Sequence, residues 1–133
     1  MIHSHIKIWL HLIWSTKNRE RIMFDKLADS IQQHLLIRSK NIGLQFEMVR
    51  VQPEHVHGLI NLPSDMRVSE FMKMIKGETS SWINKQNSLK GNFKWQRGYG
   101  AFSISSSKIG EVKGYIKNQK EHHERRTFKE EYH

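Results

Sequence analysis

Apolar residues in this chain recur at every second position in some stretches and at every third or fourth in others. The order of those two periods constrains the fold more than any single motif does. Period two belongs to strands, whose side chains alternate between faces, and a period near 3.6 belongs to helices. Residues 5–15 set Ile6, Ile8, Leu10 and Leu12 against Lys7, Trp9, His11 and Ile13, which predicts a first strand whose second face is partly open. Residues 24–40 carry Leu27, Ile31 and Leu35 at fourfold spacing. Asp25 is placed to cap this helix, Gly43 to end it in a left-handed turn, and His34 reads as a surface residue. Residues 44–52 and 53–62 predict an antiparallel hairpin turned at Pro53-Glu54. A helix over 66–87 follows, striped by Val68, Phe71, Met72, Ile75, Thr79, Trp82 and Ile83. Gly77 in its middle marks either a bend or a close approach to another backbone. From Gly100 on, Phe102 and Ile104 alternate with serines as a fourth strand. Ile109, Val112 and Ile116 give one edge to a last helix over 107–125, which Ser106 or Ser107 is placed to cap.

The order is β-α-β-β-α-β with one more helix behind it. That is the order of an α+β, ferredoxin-like (RRM-like) domain, with an antiparallel four-stranded sheet and two helices on one face. The last helix must lie across the sheet or against a second subunit. A chain of 133 residues makes one domain, 1–133.

Composition narrows the partners. The 22 Lys and Arg outnumber 13 Asp and Glu, leaving a net charge of +9. That excess suits nucleic acid, or a basic surface with no specific partner. The absence of cysteine excludes disulfides, thiolate metal sites and a cysteine nucleophile. The N-terminal apolar stretch is interrupted by His5, Lys7 and His11, and no run approaches the roughly 18 apolar residues of a membrane span. No membrane partner is expected, and the expected compartment is the cytoplasm.

Within 53–62, His55 and His57 share one face of a strand and Val56 and Gly58 the other. Two imidazoles so placed can reach one metal ion or grip one phosphate. Lys17, Arg19 and Arg21 form a basic loop that either contacts phosphates or is simply solvated. Residues 90–105 mix basic and aromatic side chains with glycine. Lys94, Trp95 and Arg97 are suited to stacking on bases and neutralising phosphates, and the competing reading packs the aromatics on the core. Near the C-terminus Tyr115, Gln119 and His122 recur along one helical face. Two histidines and a glutamine oxygen can ligate a divalent cation, Mg²⁺ or Mn²⁺, which acts on a phosphodiester as a Lewis acid. Tyr115 then has the reach to attack phosphorus, although a lone helix tyrosine is more simply a packing residue.

Four segments together carry a resemblance. Ile13-Trp14-Ser15-Thr16-Lys17, Pro53-Glu54-His55-Val56-His57, the run Trp95 to Ser103 and Gly114-Tyr115-Ile116-Lys117-Asn118-Gln119 stand in this order over almost the whole chain. They resemble the single-tyrosine transposases of small bacterial insertion sequences and their relatives associated with repetitive extragenic palindromes (REP), within the HUH nucleases. The resemblance implies that His55, His57 and Gln119 are metal ligands and Tyr115 the nucleophile, with Glu54 and His122 supporting them. It implies cleavage of single-stranded DNA at element ends, a 5′-phosphotyrosine and a free 3′ hydroxyl. It also implies recognition of hairpins and a homodimer in which the tyrosine helix can serve either subunit. Glu54 departs from the aspartate of many members but keeps its charge. Two other readings remain open here: the same chemistry turned to host palindromic repeats, and a ferredoxin-like module that only binds nucleic acid.

Overall fold

A computed structural model describes residues 5–87 and 89–118. The first strand, β1 (Trp9–Ser15), runs into a 3₁₀ turn at Lys17–Arg19 and then helix α1 (Asp25–Asn41). Strands β2 (Phe46–Val51) and β3 (His55–Asn61) follow as the expected hairpin, then α2 (Val68–Lys85) and β4 (Gly100–Ile104). A second 3₁₀ turn, Ser106–Lys108, leads into α3 (Ile109–Lys117). All strand pairs are antiparallel, in the order β2-β3-β1-β4. This is the ferredoxin-like sheet that the alternation of periods predicts. Among the described residues, no helix is long and apolar enough to cross a membrane.

One face of the sheet carries the core. Leu10, Leu12 and Trp14 of β1 and Val56 and Ile60 of β3 pack with Ile31 and Leu35 of α1 and Phe71, Ile75 and Ile83 of α2. The other face is closed, contrary to the partly open second face expected for the first strand: His11 is 1% and Ile13 2% exposed. The reason is α3, which lies across that face with Ile116 fully buried. The strand also starts later than the alternation suggests. Its partners end at Asn61 and Ile104, so Ile6 and Ile8 extend beyond them and are exposed.

Helix ends differ from expectation in instructive ways. Asp25 is the first residue of α1 rather than its cap; Phe24 takes that position, and its carbonyl accepts from the amides of Leu27 and Ala28. Ser106 and Ser107 belong to the 3₁₀ turn, so Lys108 stands at the start of α3 without a side-chain cap. Gly43 does turn left-handed, at φ 77°, where a side chain would be strained. Gly77 makes no close approach, since an added Cβ there would meet nothing within 4 Å. His34 is half-buried rather than a surface residue. Its ring stacks on Trp82 at 4.1 Å and its Nε2 lies 2.8 Å from both carboxylate oxygens of Glu78, joining α1 to α2. The part of the last helix expected beyond residue 118 lies outside the described residues.

Gly58 is where the sheet is tightest. A Cβ built on it would lie 2.7 Å from Cε1 of Phe46, across the hairpin. Phe46 cannot yield, because its ring stacks on Trp14 and meets Phe71 edge-on. Gly58→Ala is therefore expected to destabilise the fold by about 1–3 kcal/mol, read from denaturant midpoints. Combining it with Phe46→Leu should cost less than the sum of the two single changes, and simple additivity would refute the contact as the cause.

Candidate active site

The register of the two central strands assembles three histidines. Ile13 pairs with His57, His11 with Leu59 and Ser15 with His55, so all three imidazoles project from the face that α3 covers. They form a line. His55 Nε2 lies 2.8 Å from His57 Nε2, and His57 Nδ1 lies 2.8 Å from His11 Nε2. Beyond His55 the line continues through Glu54, whose Oε1 is 2.8 Å from His55 Nδ1, and Arg21, whose Nη1 donates to Glu54 Oε2 at 3.1 Å.

With neutral rings and an ionised Glu54, one proton assignment satisfies every link. His55 donates from Nδ1 to Glu54, which leaves its Nε2 as acceptor for the Nε2–H of His57. His57 Nδ1 then accepts from His11. Each ring of the His55–His57 pair is thus anchored by one nitrogen and turns the other toward its partner. A ligating histidine donates its other ring N–H: His55 already does so to Glu54, and His57 does so to His11 once its proton moves from Nε2 to Nδ1 and His11 presents a bare Nε2. Burial lowers the His11 pKa from 6.5 to about 4, and repulsion from His55 acts in the same direction.

Tyr115 comes to this face from α3. Its ring lies 6.2 Å from that of His57 and 6.1 Å from that of His11, edge-on to both. Burial of the next residue, Ile116, holds the helix down, and Lys113 adds an ion pair to Glu47 of β2 at 2.5 Å. Gln119 and His122 lie outside the described residues. Among the described residues, no third His, Cys, Asp or Glu joins the histidine pair as a ligating cluster.

Next to His55 opens a cleft of about 770 Å³, lined by Ser15, Asn18, Arg19, Arg97 and Tyr99 among others. Arg19 and Arg97 are the expected basic residues that reach it. Lys17 and Lys94 instead line a smaller cavity of about 380 Å³ on the outer side of the same turn. Arg21, expected with them as a phosphate contact, is engaged by Glu54. Trp95 takes the competing role: its indole packs against Trp14 and Phe93 and donates from Nε1 to the carbonyl of Lys76. The aromatic left at the cleft is Tyr99, 40% exposed.

Sequence reasoning missed His11 and Lys76 as contributors. The signal for His11 was present: odd positions of the first strand share a face with His55 and His57 once the strands pair antiparallel. Lys76 sits off the apolar stripe and carried no signal at all.

Residues 4–119 match the profile of IS200-like transposases. Among similar proteins, the ISDra2 transposase TnpA of Deinococcus radiodurans is 25% identical over 114 residues, covering 82% of this chain and 81% of its own. The transposase for insertion sequence IS200 of Salmonella typhimurium is 26% identical over 129 residues, covering 91% and 82%. A crystal structure of a Deinococcus radiodurans protein described as a transposase superposes with a TM-score of 0.70 at 25% identity, over 90% of this chain and 98% of that one. The REP-associated tyrosine transposase bound to a REP hairpin superposes at 0.64 with 21% identity, over 92% and 73%.

The His11 pKa has a consequence for stability in metal-free protein. The unfolded chain takes up a proton at His11 near pH 6.5, and the folded chain not until about pH 4. Stability is therefore complete above the upper value, falls as pH drops through this window by up to about 3 kcal/mol, and levels off below it. Urea titrations in chelator across these pH values measure the slope. His11→Asn should flatten it, and an unchanged slope in that variant would assign the effect elsewhere.

Proposed function

The chain belongs to the IS200-like transposase family, and on that premise we propose that it is a metal-dependent, single-strand DNA transposase that works through a covalent bond to Tyr115. The observation that carries this reading is the meeting of Tyr115 with the His55–His57 pair on one buried face. His55 and His57 would hold a divalent cation, Mg²⁺ or Mn²⁺, through their Nε2 atoms, with Gln119 as a further donor. Bound there, the cation supplies Lewis-acid polarisation of a phosphodiester.

The protein's own side chains do the rest. Arg19 and Arg97 draw the strand into the cleft beside His55 and neutralise its phosphates. Glu54 and His11 fix the ring orientations of the histidine pair. Tyr115 attacks phosphorus: a phenolic oxygen–phosphorus bond forms and the bond from phosphorus to the 3′ oxygen breaks. The proton lost by the phenol is balanced by the one the 3′ oxygen gains. One phosphodiester is exchanged for another, so the step is reversible and the freed end can be joined again. Tyrosine suits this because its free pKa of about 10 makes the phenolate a better leaving group than an alkoxide. Hairpins at the element ends as the recognised structure, and a homodimer as the working unit, complete the proposal. The hairpin is supported by a similarly folded protein bound to a REP hairpin; the homodimer rests on the family resemblance alone.

The test is incubation with labelled single-stranded DNA carrying hairpins from the flanks of the gene, with Mg²⁺ or Mn²⁺. A denaturant-resistant protein–DNA band is expected, lost with chelator and in Tyr115→Phe, while DNA binding by that variant survives. A band that persists in Tyr115→Phe would move the nucleophile to Tyr99 or Tyr132. Titration calorimetry with Mn²⁺ separates the supporting residues: Glu54→Gln and His11→Asn should each weaken metal binding by about 10–100-fold, and wild-type affinity in both would refute their role.

A further inference from the structure

The wall of the cleft that carries Arg97 and Tyr99 has no regular structure of its own between the bridge at Trp95 and the start of β4. Something must fix its shape. The amide of Gln96 donates to the carbonyl of Ser15, and its side-chain oxygen accepts from the amide of Asn18, which ties this wall to the turn bearing Arg19. Those contacts leave two backbone carbonyls, Gln96 and Gly98, on either side of Arg97. Both point to a single group from the opposite layer. Lys76 of α2 brings its Nζ within 2.8 Å of the Gln96 oxygen and 2.9 Å of the Gly98 oxygen. Gly98 permits this by turning left-handed, at φ 87°. Lys76 is half-buried, and that burial lowers its pKa.

We propose that Lys76 is a positioning residue for the DNA strand: by taking up the two carbonyls that flank Arg97, it holds the Arg97–Tyr99 wall beside His55 in the shape that grips a backbone phosphate. The proposal rests on the strand-transfer reading of the site. Its physical basis is the direction of the two dipoles. Carbonyl oxygens turned into the cleft repel a phosphate; held on Lys76 they face away from it, and the wall presents the Arg97 guanidinium instead. The loop also keeps its other anchors without the ammonium. The Trp95 indole bonds the backbone of position 76, and the Gln96 contacts are independent of it. Loss of the Lys76 side chain therefore loosens the wall without unfolding it.

The test measures binding and chemistry separately. Binding of fluorescein-labelled, hairpin-bearing single-stranded DNA is followed by anisotropy in the Tyr115→Phe background, where no covalent capture intrudes. Adduct formation is followed in single turnover at saturating DNA with Tyr115 present. Lys76→Met should raise Kd about tenfold, the scale of one charge-assisted hydrogen bond, and leave the adduct rate at saturation unchanged. In Lys76→Met with Arg97→Ala, Kd should be no higher than in Arg97→Ala alone, because the lysine acts through the arginine. Lys76→Arg, which keeps charge and donors, should restore binding. An unchanged Kd in Lys76→Met overturns the proposal. Losses that multiply in the double variant overturn it too, since a merely structural lysine would behave that way. Should Lys76→Met fail to fold, Lys76→Gln is read in the same assays against the same outcomes. Absence of any adduct with the wild-type chain removes the strand-transfer reading but leaves the binding result standing.

Discussion

The pairing of β1 with β3, in the register that sets Ile13 opposite His57, is the interaction on which everything else rests. Both strands are buried on both faces. One face of each is hydrophobic core, with Leu12, Trp14, Val56 and Ile60 under the helices. The other is the histidine face. Because side chains alternate strictly, the same backbone hydrogen bonds that fix the core fix the site. A slip of one residue would turn His55 and His57 into the apolar layer and bring Val56 to Tyr115. The burial of large side chains beneath the sheet makes that slip costly. Gly58 adds a local lock, since only a residue without a side chain lets Phe46 lie across the hairpin at this point.

Charge is distributed in zones. The chain as a whole is strongly basic, and Arg19 and Arg97 line the cleft, with Lys17 and Lys94 at the smaller cavity nearby. The floor is different. Burial keeps His11 neutral well below ordinary pH, and Glu54, 5% exposed, lies behind the histidine pair as a buried carboxylate. A lone buried carboxylate would be expensive, and Arg21 and His55 meet that cost from either side. A polyanion is attracted at the rim, where the cationic side chains are.

Much of this was legible in the residues, for physical reasons that can be named. The element order followed from two periods, and the strands of the hairpin from alternation around Pro53-Glu54. His55 and His57 sharing a face followed from strand geometry alone. What failed to show was set by tertiary contact. Trp95 has the composition of a base-stacking residue, yet Trp14 and Phe93 offered its ring a drier place. Arg21 looks like its neighbours Lys17 and Arg19 until the fold brings Glu54 to it across 33 residues. Asp25 looks like a cap, but a backbone carbonyl did that work. Lys76 resembles any solvated helix lysine, because nothing local reveals two carbonyls of a distant loop.

Helix α3 leaves the sheet at one edge, after β4, and is pinned at the other, against β2, having crossed over β1 and β3. In a frame, a member running corner to corner is a brace, and what it resists is shear. Strands joined only by hydrogen bonds in their own plane can creep past one another along their length; a diagonal anchored at both edges ties that sliding to its own movement. Ile116 supplies most of the fastening, since the exposed Lys113–Glu47 pair is worth little by itself. The phenol of Tyr115 sits in the last turn of this member, beside His11 of β1 and His57 of β3. Its distance from the histidines is therefore a measure of the whole sheet's shape, and a change at the far edge of β2 is felt at the centre without touching it.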